Sequence, residues 1–116
     1  MPKKFIKSFK YAKAGAEHAI KTQRNLWIHF FIGVIVLGLA VWFKVSLIEL
    51  AILVLAIFGV IVAEMLNTSI EELVNLLSPE KRAQAGLAKN IAAAAVLLAA
   101  FGAVLVGALI IIMKVV

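Results

Sequence analysis

Residues 51–75 read AILVLAIFGVIVAEMLNTSIEELVN, and this stretch decides the fold. Its first thirteen residues, Ala51 to Ala63, carry no polar side chain. A polar series follows at once. Glu64, Asn67, Glu71 and Asn75 are spaced by three, four and four residues, which on a helix puts all four in one stripe on one face. Glu72 falls on a neighbouring face and is expected to be solvated. The apolar run starts near Leu47 and continues past the stripe to Leu77. At about 1.5 Å per residue such a helix is roughly 46 Å long, against a hydrocarbon core of about 30 Å. It is therefore expected to span a membrane and project into the headgroup layer, with the stripe at that end. Ser78-Pro79-Glu80 stops it, because proline lacks the amide donor that the next turn needs.

On the N-terminal side of this helix, Lys44-Val45-Ser46 reads as a tight turn with Ser46 as the N-cap. A first span runs before it, from about 26 to 43, with Trp27 and Trp42 near its ends as interfacial aromatics. On the other side, a basic linker from Lys81 to Gly86 leads to a third span, about 87 to 113. In that span Ala95, Ala99, Ala103 and Gly107 recur every four residues, a small-residue ridge that lets helices approach closely and reads as a packing surface. Residues 3–22 form the remaining segment. Phe5, Ile6, Phe9, Ala12, Ala16 and Ile20 recur at helical spacing among lysines, the pattern of an amphipathic helix lying in the headgroup layer. The expected architecture is a single all-α integral membrane domain over 1–116: a surface helix plus three transmembrane helices.

Composition agrees. Of 116 residues, 65% are hydrophobic and the mean hydropathy is +1.10; a soluble domain of this size cannot bury that much apolar surface. There is no cysteine, so thiolate chemistry and disulfides are excluded. The net charge is +6, and ten of the twelve Lys and Arg residues lie before residue 26 or between 78 and 90. These basic segments flank spans, which argues against nucleic-acid binding and, by the positive-inside rule, puts both in the cytoplasm. The long charged stretch before the first apolar run is not expected to be a cleavable signal.

A charged side chain within a span costs about 2.5–3.5 kcal/mol on insertion scales, so such residues are functional candidates. Glu64, deeper along the helix than Glu71 and close to where hydrocarbon begins, suits a general base. Glu71, nearer the surface, can hold a hard cation such as Mg²⁺ through oxygen, and Asn67 between them can orient either partner. Lys89, at the start of the third span, can meet phosphate as a point charge. The bland readings are an interhelical hydrogen-bond seam for the stripe and a positive-inside anchor for Lys89. Two carboxylates on one face favour function. Gln23, Arg24 and Asn25 join the surface helix to the first span and can face the stripe across the headgroup layer. His18 and His29 read as isolated interfacial residues, and Glu17 and Glu49 as solvated. No GxxxxGK, HExxH or GxSxG motif occurs.

The segments Glu64-Met-Leu-Asn67-Thr-Ser-Ile-Glu71, Ser78-Pro79-Glu80 and Ala88-Lys89-Asn90-Ile-Ala-Ala-Ala-Ala-Val resemble the prokaryotic diacylglycerol kinase and undecaprenol kinase family. Lys21-Thr-Gln23-Arg-Asn25, followed by Ile28-His29, resembles its N-terminal signature, and the likeness covers nearly the whole chain. The resemblance implies a homotrimer in the bacterial inner membrane, N-terminus cytoplasmic, with sites completed by neighbouring subunits. It implies transfer of the γ-phosphoryl of ATP, with Mg²⁺, to a lipid hydroxyl. Carried over by residue, Glu64 matches the catalytic base, Asn67 the motif asparagine, Glu71 a metal-binding glutamate and Lys89 a nucleotide-phosphate lysine.

Three positions depart from the family pattern. Gln23 stands where a metal-sharing Glu is usual, and Asn75 and Asn90 stand where Asp is usual. Each change keeps shape and removes negative charge, which is expected to weaken Mg²⁺ and nucleotide binding. Glu71 and Gln23 remain the expected metal residues, Lys89, Asn90, Gln23 and Asn75 the expected nucleotide-binding ones, and Asn67, Gln23 and Asn90 shape the pocket. The likeness to the shorter Gram-positive type leans toward undecaprenol over diacylglycerol as acceptor. Two other readings stand beside the kinase: a non-catalytic relative that binds nucleotide or lipid, and a small proton-coupled transporter. The second is weakened because the carboxylates crowd one face, whereas transport sites lie near mid-bilayer.

Overall fold

The computed structural model describes residues 2–80 and 82–116; Lys81 of the expected linker lies outside them. The described residues form four helices: α1 (Pro2–Thr22), α2 (Arg24–Trp42), α3 (Leu47–Leu77) and α4 (Ala83–Val115). α2, α3 and α4 are each long and apolar enough to cross a membrane. The chain is a helical integral membrane protein. Most of its large apolar side chains, such as Phe31, Leu55, Leu97 and Leu109, are exposed on the isolated chain, as lipid-facing side chains must be.

α3 is the central rod, packed against both α2 and α4. Its buried face passes through Leu53 and Val60 and continues into Glu64, Asn67 and Thr68. The inner part of the polar stripe, Glu64 and Asn67, is thus the continuation of the packing face, while Glu71 is half-buried and Asn75 exposed. At the opposite end Ala40, Leu53 and Ile110 form a buried apolar cluster flanked by Val36, Val45, Leu50 and Val106.

The α2–α3 turn is built from two capping devices. The Lys44 amide donates to the Val41 carbonyl (3.1 Å) and that of Val45 to the Ala40 carbonyl (3.2 Å), the pair of bonds of a Schellman ending. Lys44 occupies the left-handed position usually given to glycine, with φ 55°. Ser46 then opens α3 with a full capping box: Ser46 Oγ accepts from the Glu49 amide (3.1 Å), and the Ser46 amide donates to Glu49 Oε1 (2.8 Å). Glu49, expected to be solvated, is held there and also pairs with Lys114 Nζ at 2.9 Å. The pair ties the start of α3 to the end of α4.

At the other end of α2, the chain leaves the helix for one residue. Gln23 has an extended backbone (φ −111°, ψ 103°), and Trp27 Nε1 donates to the Ile20 carbonyl across this elbow at 2.7 Å. Within α1 the apolar residues Phe5, Ile6 and Phe9 remain exposed, and Ala19 alone among its described residues is buried. That leaves an amphipathic arm with an apolar face for the membrane surface.

The linker is shorter than the sequence suggested. α4 begins at Ala83, and the Gly86 amide already donates to the Arg82 carbonyl at 3.1 Å. A single glycine between Ala85 and Leu87, both good helix formers, continues a helix at a cost of only about 1 kcal/mol, so Ala83 to Gly86 extend the third span.

Candidate functional site

Glu64 is 3% exposed, the most buried charged residue described. A carboxylate in such surroundings needs a polar partner, and α2 supplies one: His29 Nε2 lies 3.5 Å from Glu64 Oε2. Neither histidine is isolated, contrary to the sequence reading. His18 Nε2 of α1 also meets a carboxylate, Glu72 Oε1 at 3.4 Å, in an exposed pair that joins the surface helix to α3. Glu72 is solvent-exposed, as its helical phase indicated. Thr68, beside Glu64, spends its hydroxyl on the Glu64 carbonyl at 3.0 Å, a local helix bond that takes it out of the chemistry.

One turn outward, Asn67 Nδ2 donates to Glu71 Oε1 at 3.4 Å, while Asn67 Oδ1 is buried with no hydrogen-bond partner. An orphaned buried oxygen costs about 1–3 kcal/mol unless something meets it. Asn67 Oδ1 and the half-buried Glu71 carboxylate are neighbouring hard oxygen donors. Among the described residues no group of three or more His, Asp or Glu gathers as a metal cage. The donors nevertheless fit Mg²⁺, which keeps several waters and is held through one or two carboxylates together with substrate phosphates.

A further turn outward, α4 joins the stripe. Lys89 Nζ donates to Asn75 Oδ1 at 2.5 Å, so the ammonium meets the amide of the stripe rather than a carboxylate. An amide accepts this bond without cancelling the lysine's charge. Asn90 is exposed. Gln23 is half-buried at the α1–α2 elbow, and its side chain caps nothing. The structure therefore brings Glu64, Asn67, Glu71, Asn75 and Lys89 together along one face, and joins neither Gln23 nor Asn90 to them by a side-chain bond. The contact between His29 and Glu64 is what sequence reasoning missed. His29 lies on a different helix from its partner, and no spacing rule connects the two.

From the Glu64 end of the stripe, a groove of about 480 Å³ runs between α2 and α4 over the apolar half of α3. Gly33, Val36, Ala40, Val60 and Gly107 are among its apolar walls, and His29 is its one polar side chain among the described residues. Gly33 makes the close α2–α3 approach possible, since a Cβ there would lie 2.9 Å from Ile57 Cγ2. A buried carboxylate and an open oxygen pair thus follow one another along α3, an ammonium from α4 meets the outer end of the series, and an apolar groove leads away from its inner end.

Comparison with known proteins gives the same direction. The profile of the prokaryotic diacylglycerol kinase family matches residues 10–111. A diacylglycerol kinase of Synechocystis is 45% identical over 101 residues, 86% of this chain. The chain spans 58% of the length of that relative. The undecaprenol kinase of Bacillus subtilis is 35% identical over 111 residues, covering 96% of this chain and 90% of its own length. The chain belongs to the prokaryotic diacylglycerol kinase family.

Proposed function

We propose that the protein is a lipid kinase that transfers the γ-phosphoryl group of MgATP to the hydroxyl of a membrane lipid. The observation that carries this reading is Glu64, a carboxylate buried to 3% exposure where the apolar run of α3 gives way to the stripe. Glu64 accepts the proton of the lipid hydroxyl. The lipid oxygen bonds to the γ-phosphorus, the bond from that phosphorus to the β–γ bridging oxygen breaks, and ADP departs with the electron pair. Lys89 sits at the phosphates as a fixed positive charge. Glu71 and Asn67 are the residues that would hold Mg²⁺, which would supply charge neutralisation at the phosphates. Gln23 and Asn90 shape the pocket's rim.

The protein resides in the bacterial cytoplasmic membrane with α1 and the stripe on the cytoplasmic side, where ATP is available. The concentration of basic residues before 26 and between 78 and 90 supports this orientation. It works as a homotrimer, in which a neighbouring subunit completes the rim that Gln23 and Asn90 leave open. Phosphorylation of purified lipids by the purified protein with γ-labelled ATP tests the activity. Undecaprenol and diacylglycerol offered in competition identify the acceptor, and undecaprenol is expected to win because the matched Bacillus relative spans nearly the same length. No label in either lipid overturns the reading.

A second reading, a relative that binds nucleotide or lipid without turnover, draws on the amides at 23, 75 and 90 and on the lack of a three-ligand cluster among the described residues. Against it, Asn75 leaves Lys89 bonded yet charged. Restoring Gln23→Glu, Asn75→Asp and Asn90→Asp together separates the two. A rise in rate well beyond tenfold supports the impaired relative; little change supports a working kinase.

A further inference from the structure

We infer that His29 is a positioning residue for Glu64: its imidazole fixes the carboxylate so that one oxygen faces the lipid hydroxyl arriving along the α2–α4 groove. This rests on the kinase reading and assigns a role to a residue outside the stripe.

The geometry is specific. His29 Nε2 lies 3.5 Å from Glu64 Oε2, with the histidine side chain 22% exposed and the glutamate 3%. That separation is longer than a formed hydrogen bond, as is common for catalytic contacts that tighten only when substrate is bound. Among the described residues no Lys or Arg lies within ion-pairing distance of Glu64, and His29 is its one basic neighbour. The histidine also borders the apolar groove, whose other lining side chains among the described residues carry no polar atom. His29 therefore touches both the carboxylate and the space a lipid chain can enter.

The chemistry follows from these contacts. A glutamate side chain has three rotatable bonds, and a base whose lone pair wanders is a poor base; a base oriented by a third group is a recurring catalytic arrangement. A neutral imidazole with its hydrogen on Nε2 donates to Oε2 and leaves Oε1 free to take the hydroxyl proton. It orients the carboxylate without neutralising it, which a lysine or arginine in the same place would do. Gly33, one turn along α2 from His29, keeps this stretch of α2 against α3, so the imidazole is carried by a closely packed helix.

The test compares full-length protein in lipid or detergent with His29→Leu, which keeps bulk and loses the donor, and His29→Gln, which keeps a donor. The inference expects His29→Leu to lower kcat by at least about tenfold with KM for MgATP unchanged, and His29→Gln to recover most of the loss. On a Glu64→Gln background, His29→Leu is expected to cause no further loss of residual rate, because the two residues act as one unit. Wild-type kcat in His29→Leu overturns the inference while leaving the kinase reading intact. So do equal losses in both His29 variants that follow a shared drop in thermal stability, or losses that multiply on the Glu64→Gln background. Absence of lipid phosphorylation by the wild type is the separate result that removes the kinase reading.

Discussion

Glu64 and Asn67 lie on the stripe and Lys89 meets it from α4, yet their surroundings differ enough to give each its own expected phenotype. Glu64 is buried beside an imidazole, and its replacement is expected to act on the chemical step. Lys89 meets the Asn75 amide, so no carboxylate is its hydrogen-bond partner there. Removing it in Lys89→Met is expected to raise KM for MgATP more than tenfold, about 1.4 kcal/mol of binding, with a smaller effect on KM for lipid. An equal rise in both constants would contradict a phosphate-facing role. Asn67 Oδ1, buried and unpartnered, gives the next prediction. Asn67→Leu removes a polar burial cost and is expected to keep or increase thermal stability while weakening the response of activity to Mg²⁺. A loss of stability with unchanged Mg²⁺ dependence would show that the amide is structural. At this scale the sequence was informative wherever helical spacing alone decides proximity. The 64, 67, 71, 75 series could be placed on one face because three- and four-residue steps return to the same side of a helix. The His29–Glu64 and Lys89–Asn75 contacts could not be read so, because they depend on how α2 and α4 rotate about α3.

Helix ends and crossings carry the predictions at the scale of elements. Lys44 holds a left-handed conformation at the end of α2, which costs a non-glycine residue roughly 1–2 kcal/mol. Lys44→Gly is expected to raise stability by up to about 1 kcal/mol, part of the relief being offset by glycine's greater freedom in the unfolded chain. Unchanged or lowered thermal stability in detergent would contradict that assignment. Gly33→Ala is expected to do the reverse. Its added methyl lies within 2.9 Å of Ile57 Cγ2, a branch close to the backbone, and overpacking of this kind costs about 1–3 kcal/mol. It also shifts His29, so kcat is expected to fall along with stability. The elements themselves were legible because each apolar run is much longer than a soluble core requires, and because Ser46 and Pro79 mark ends by mechanisms independent of packing. The start of α4 was not, since Ala83-Gln84-Ala85 before Gly86 carries no signal that separates a linker from a helix that continues past the bilayer.

For the molecule as a whole, the two ends differ in kind. One end gathers the stripe, Lys89 and the basic segments; the other is closed by the Schellman turn, the capping box and the Lys114–Glu49 pair. A chain without cysteine allows a simple orientation experiment. A single Ser46→Cys is expected to react with a membrane-impermeant maleimide from outside the cell, and a single Gln84→Cys only after permeabilisation; the opposite pattern would invert the proposed topology. The membrane class was legible from hydropathy alone, and the polar face from charge placement. Which protein surfaces meet other subunits was not, because lipid-facing and subunit-facing helix surfaces are both apolar. The claim on which the mechanism turns is that the buried Glu64 carboxylate takes the lipid proton. Its most direct measurement is the rate of γ-phosphoryl transfer to lipid by wild type and Glu64→Gln, at saturating MgATP and matched folded fractions. A drop of about a hundredfold or more is the expected result for loss of a general base; equal rates would contradict it.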